Sequence, residues 1–113
     1  MQTKIHSTEK KQETAVLVAV KLPENERFEI EDYLTELEML VETAGAKVLE
    51  KFHQERLAID PKTFVGTGKL NEIKAFVTNE CVDMVIFDDE LSPGQVRNIE
   101  KILDCKVIDR SQI

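Results

Sequence analysis

The chain has 113 residues, of which 42% are hydrophobic and 33% charged, and a formal net charge of −7. That is one domain's worth of chain with enough apolar content for a core, and no apolar run approaches the roughly 18–20 residues that span a bilayer. Phosphate binding needs cations that displace counterions. Within the folded part their largest excess, +2, falls in residues 46–79, against −7 over 23–45, −5 over 80–104 and +1 over 105–113. Wholesale wrapping of DNA is thereby disfavoured, and a small basic face remains possible.

Residues 1–14 are polar, unpatterned and without the apolar block of a signal peptide, and they read as a flexible leader to a single domain over 15–113. AVLVAVKL (15–22) is an almost unbroken apolar run, which predicts a strand buried on both faces. PENERF follows as a loop. From Glu29 the apolar positions Ile30, Tyr33, Leu34, Leu37, Leu40, Val41 and Ala44 advance by threes and fours, one stripe of a helix. Glu29, Glu31 and Asp32 fall in its first turn, where the helix dipole favours acids, and Gly45 suits a left-handed stop. AKVLEKFHQE (46–55) is charged often enough to predict an edge strand.

RLAIDPKTFV (56–65) reads as a connecting loop with Asp60-Pro61 as its turn. Leu70, Ile73, Val77 and Cys81 mark a second amphipathic helix, and VDMVIFDD (82–89) another buried strand. Ser92, Pro93 and Gln95 then form an N-cap, a first-position proline and a capping-box partner. Val96, Ile99, Ile102 and Leu103 give that helix its inner face, and CKVIDR (105–110) is the last strand. The order β-α-β-α-β-α-β predicts a three-layer α/β fold: a four-stranded parallel sheet with helices on both faces. Strand order 2-1-3-4 is favoured because 15–22 and 82–87 are the most apolar segments and belong at the centre. Cys81 and Cys105 lie far apart, without Cys-x-x-Cys pairing, and read as reduced core residues of a cytoplasmic protein.

FVGTGKLNEIK (64–74) invites a nucleotide reading. A P-loop needs glycine where Thr63 stands and a hydroxyl where Leu70 stands. The dinucleotide fingerprint needs glycine at Asn71. Both patterns fail. Gly66 and Gly68 then read as turn glycines in conformations other residues avoid, leading to a helix N-terminus. The functional alternative is an anion site in which backbone N–H groups and Lys69 face a phosphate. Lys47, Lys51, Arg56, Lys62, Lys69 and Lys74 together make a possible basic stripe.

Asp88-Asp89-Glu90 lies at the carboxyl end of a parallel strand and is similar to the phospho-accepting strand of receiver domains. The acidic pair and fifth-strand lysine of those domains have no counterparts here, so a solvated turn is the expectation. His6 and His53 have no partners at metal-ligand spacing, and no Gly-x-Ser-x-Gly elbow is present. Neither a metal site nor a catalytic residue is therefore assigned.

Thr43-Ala44-Gly45, the run Phe64 to Lys69, the block Leu91 to Asn98 and the strand Val107 to Arg110 occur together in order. Their combination over residues 29–113 resembles the N-terminal domain of the HflX family of ribosome-associated GTPases. Gly94 departs from the family's frequent second serine. The family continues into a helical arm and a GTPase domain with its own P-loop, so GTP and magnesium belong to that missing part. The resemblance implies a non-catalytic module that binds large-subunit rRNA and regulates the GTPase domain, with phosphate contacts from Arg56, Lys62, Gly66, Gly68, Lys69 and Lys74. It also leaves open an ATP-binding or ATPase module that uses the Gly66–Lys69 loop.

Overall fold

In the computed structural model, which describes residues 12–112, strands and helices alternate along the chain. They are β1 (Thr14–Lys21), α1 (Arg27–Thr43), β2 (Lys47–Glu55), α2 (Thr67–Glu80), β3 (Met84–Phe87), α3 (Pro93–Leu103) and β4 (Lys106–Asp109), followed by a 3₁₀ turn over Arg110–Gln112. All strand pairs are parallel and the order is β2-β1-β3-β4, as the apolar content of the two central segments predicts. Most of the expected leader lies outside the described residues. Thr14, its last member, is already in β1, where its N–H and hydroxyl donate to Asp83 Oδ2 at 2.8 and 3.1 Å.

Alternation along the strands divides the core in two. Val16, Val18 and Val20 of β1, with Val85 and Phe87 of β3, face α2 and α3 through Leu70, Ile73, Val77, Ile99 and Leu103. Ala15, Leu17 and Ala19, with Met84 and Ile86, face α1 through Ile30, Leu34, Leu37 and Val41. Both faces are thus covered, α1 over one and α2 with α3 over the other.

Three local expectations are corrected. Helix α1 starts at Arg27 rather than Glu29, because Glu26 caps it and its N–H donates to Glu29 Oε1 at 2.7 Å, leaving Glu29 as the first-turn acid. The predicted stripe is wider than the buried one: Tyr33, Leu40 and Ala44 stay exposed, at 39% and 51% for the first two. Cys81 is exposed instead of in the core, because α2 ends there with Cys81 left-handed (φ 53) as its C-cap. Cys105 is half-buried, and burial, Asp104 and Glu100 push its thiol up to about 11. Both cysteines are free.

Candidate functional site

The chain leaving β2 crosses the carboxyl end of the sheet before entering α2, and every turn of this loop is pinned. Asp60 Oδ1 accepts from the N–H groups of Lys62 at 2.8 Å and Thr63 at 3.0 Å. These bonds lower the Asp60 pKa against a small opposing effect of burial. Asp60 and Phe64 exchange N–H···O bonds of 3.1 and 2.9 Å. Phe64 is buried against Phe87 at the end of β3, ring edge to face at 5.6 Å and 88°. From α3, Gln95 Nε2 donates to Asp60 O and Asn98 Nδ2 to Lys62 O, each at 3.0 Å.

The sequence motif at residues 91–98 therefore has a second task beyond capping its own helix. The capping box itself is present: Ser92 N–H donates to Gln95 Oε1 at 2.9 Å and Gln95 N–H to Ser92 Oγ at 3.1 Å. The amide of the same Gln95 reaches across to the loop. Capping rules locate the first contact from spacing alone. No local rule locates the second, which joins residues 35 apart in sequence.

The glycines act differently from the expectation. Gly66 (φ −71) is the N-cap of α2 and Gly68 lies within the first turn, so neither is left-handed. The left-handed position is Phe64 (φ 67). A Cβ on Gly66 would meet the Arg56 guanidinium, the movable end of a long side chain, so a larger residue there displaces that cation rather than the backbone. The Gly66 N–H donates to Gln54 Oε1 at 2.9 Å. Nothing lies within 4 Å of a Cβ placed on Gly68.

Arg56, Gly66, Gly68 and Lys69 are thus brought to the N-terminus of α2, and the same loop carries Lys62. Arg56 is fixed by Nε donating to Ala58 O at 2.9 Å. Lys69 pairs with Glu72 at 3.0 Å across one turn. Lys74 does not join them: five residues on, it points about 140° around the helix from Lys69, on the opposite flank of the buried stripe. Arg97, an exposed cation next to the loop-holding Asn98, belongs to the Leu91–Asn98 motif but not to the residues expected to contact phosphate.

A second polar cluster lies at the carboxyl ends of β3 and β4. Asp88 is not in a solvated turn; its side chain is 2% exposed, because its N–H continues the sheet by donating to Val18 O at 2.8 Å. Arg110 Nε stands 3.6 Å from Asp88 Oδ1. At that separation the charges attract but do not form a hydrogen bond, and Oδ1 has no hydrogen-bond partner. Burial raises the Asp88 pKa, Arg110 opposes the rise, and Asp89 and Glu36 add to it. Asp109 behaves in the opposite way. Burial pushes it up, but the Leu91 N–H and the Ser111 hydroxyl and N–H donate to it and leave it lowered.

A parallel sheet with helices on both faces and a clamped basic loop at its carboxyl end defines a small α/β domain of the doubly wound class. The chain belongs to the HflX type of the GTP-binding GTPase N-terminal family, whose model matches residues 31–113. It is 41% identical over 101 residues to the GTPase HflX of Flavobacterium psychrophilum and 43% identical over 102 residues to that of Lacrimispora saccharolytica. These alignments cover 89% and 90% of this chain but 24% of each relative, so the chain spans about a quarter of their length. Among solved structures, a GTP-binding protein from Sulfolobus solfataricus in complex with GDP superimposes with a TM-score of 0.62 at 25% identity. That match covers 88% of this chain and 28% of the other.

Proposed function

We propose that this chain is the non-catalytic N-terminal module of a longer, cytoplasmic HflX-type GTPase, where it contacts rRNA of the large ribosomal subunit and regulates the GTPase domain. GTP and magnesium are bound by that other domain. The observation that carries the rRNA reading is the clamped loop with its two unpaired cations. Among the described residues, no carboxylate lies within ion-pair distance of Arg56 or Lys62; Lys21, Lys47, Lys74, Arg97, Lys101 and Lys106 share that state, and what sets Arg56 and Lys62 apart is the clamped loop that carries them. Cations held on a rigid loop with no direct ion pair, and with Asp60 as the carboxylate that feels the Arg56 charge, suit a phosphate backbone. With the net charge at −7, the contact is local, and most of the ribosome affinity resides elsewhere in the parent.

The test is ribosome binding by the full-length protein over a salt series. Each lost phosphate contact lowers the slope of log affinity against log salt by about one unit, so Arg56→Gln with Lys62→Gln is expected to flatten it by about two. An unchanged slope rejects the assignment. The ATP reading has less support, since the Gly66 N–H is already donated to Gln54 and Lys69 is paired with Glu72. Calorimetric titration with millimolar ATP and magnesium that gives no heat removes it.

A further inference from the structure

The chain leaves β1 and β2 toward opposite faces of the sheet. Lys21 and Glu55 are register partners at the ends of these strands. Beyond them the first segment turns to α1 on one face and the second to α2 on the other. Between the two departing segments lies a cleft of about 380 Å³, lined by Lys21, Leu22, Pro23, Glu55, Arg56 and Leu57. Crevices outside the carboxyl ends of the strands are where open α/β sheets take their ligands. Ligand clefts run from about 300 to 1,000 Å³, so this one has room for a single small group.

Both walls are fixed. On the β1 side Leu22 N–H donates to Asn25 Oδ1 and Asn25 N–H to Leu22 O, each at 2.9 Å. On the β2 side Arg56 N–H donates to Lys21 O at 3.0 Å and Arg56 Nε to Ala58 O at 2.9 Å, which pins the turn on either side of Leu57. Leu57 is 89% exposed, more than any other large hydrophobic side chain among the described residues. A surface leucine standing alone needs no explanation. This one stands on a pinned turn, forms a wall of the cleft and directly follows a cation. Lys21 and Arg56 make the lining basic, and its one acid, Glu55, is paired with Arg27 at 2.9 Å.

We propose that this cleft receives one unpaired nucleotide of RNA, with its base against Leu57 and Pro23 and its phosphate at Arg56. A nucleotide has an apolar face and a charged end, and the cleft sets an aliphatic wall beside a cation to match. A duplex offers such a surface only its phosphates, because its bases are stacked and paired. An unpaired residue can be splayed out to lay its face on a side chain or a guanidinium plane. With aliphatic and basic walls, the contact distinguishes unpaired from paired nucleotides rather than one base from another. This inference rests on the rRNA reading above and narrows it, from phosphates in general to a nucleotide outside a helix. A protein that took Leu57 into an apolar pocket of its own would engage the same turn, and RNA without protein tells the two apart.

The test uses the full-length protein and two short RNA hairpins that are identical except for one bulged nucleotide. The bulged hairpin is expected to bind about tenfold more tightly than the fully paired one, and Leu57→Asn is expected to abolish the difference. Leu57 is exposed, so the substitution leaves the fold intact. Equal binding of the two hairpins, binding of neither, or a difference that survives in Leu57→Asn overturns the proposal. On purified large ribosomal subunits the same variant is expected to lower affinity about tenfold while the slope against log salt stays unchanged, since no phosphate contact is lost. An unchanged affinity also overturns it. The two readings fail separately. If Arg56→Gln with Lys62→Gln leaves the salt slope unchanged, the rRNA contact itself is removed, whereas a flattened slope with equal hairpin binding removes only the cleft.

Discussion

Phe64 adopts a left-handed backbone (φ 67) that a bulky residue seldom takes. Such strain costs about 1–3 kcal/mol. Burying the ring contributes about 1.5–3 kcal/mol and its edge contact with Phe87 about 0.5–1.5 kcal/mol more, so packing wins and the aromatic takes a place where glycine would be expected. Asp88 shows the opposite balance, a buried carboxylate whose one nearby cation is too distant to hydrogen-bond. Its folded pKa is raised, so its contribution to stability is fully present below the unfolded value of about 3.9 and is lost as pH rises through the folded value. Asp88→Asn, which cannot ionise, is expected to be more stable than the parent at pH 7, with the advantage vanishing below the ordinary carboxylate range. Urea midpoints measured across that pH interval check the sign. An advantage equal at both ends would contradict it.

At the scale of elements, α3 carries more than its own share of the fold. Its capping box stops the helix from fraying, and its second side-chain layer holds the loop that presents Arg56 and Lys62. Ser92→Ala is expected to cost about 1 kcal/mol, the usual loss for a removed N-cap. Gln95→Ala removes the bonds to Ser92 and Asp60 together and is expected to cost about 2 kcal/mol, at roughly 1 kcal/mol for each. Equilibrium unfolding measures both, and amide exchange at Thr63 and Phe64 should quicken in Gln95→Ala but little in Ser92→Ala. Equal exchange in the two variants would mean that the cap, not the cross-link, orders the loop. The start and cap of this helix were legible from Ser92, Pro93 and Gln95 because they are local chemistry. The bond from Gln95 to Asp60 was not, because sequence spacing carries no information on which loop crosses in front of a helix.

At the scale of the molecule, charge is segregated. The segment with the largest acid excess, residues 23–45 at −7, contains α1 on one face of the sheet, and the +2 segment supplies the loop at the carboxyl end. The separation is partial, because Asp88, Asp89 and Glu90 follow β3 at the same carboxyl end of the sheet as the basic loop. If it regulates the GTPase domain, removing residues 1–113 from the parent is expected to change GTP turnover several-fold. Equal rates with and without them exclude that role. What the amino-acid sequence determined alone was the alternation of strands and helices, the parallel sheet, its strand order and the family, because these follow from hydrophobic periodicity, caps and ordered motifs. Only the tertiary structure decided that Phe64, rather than Gly66 or Gly68, is left-handed and that the Arg56 guanidinium lies against Gly66. It alone buried Asp88, and it alone left Tyr33, Leu40 and Ala44 exposed on one flank of α1. Each of these depends on what lies opposite a residue across the core, and that neighbour is set by the packing of segments far apart in the chain.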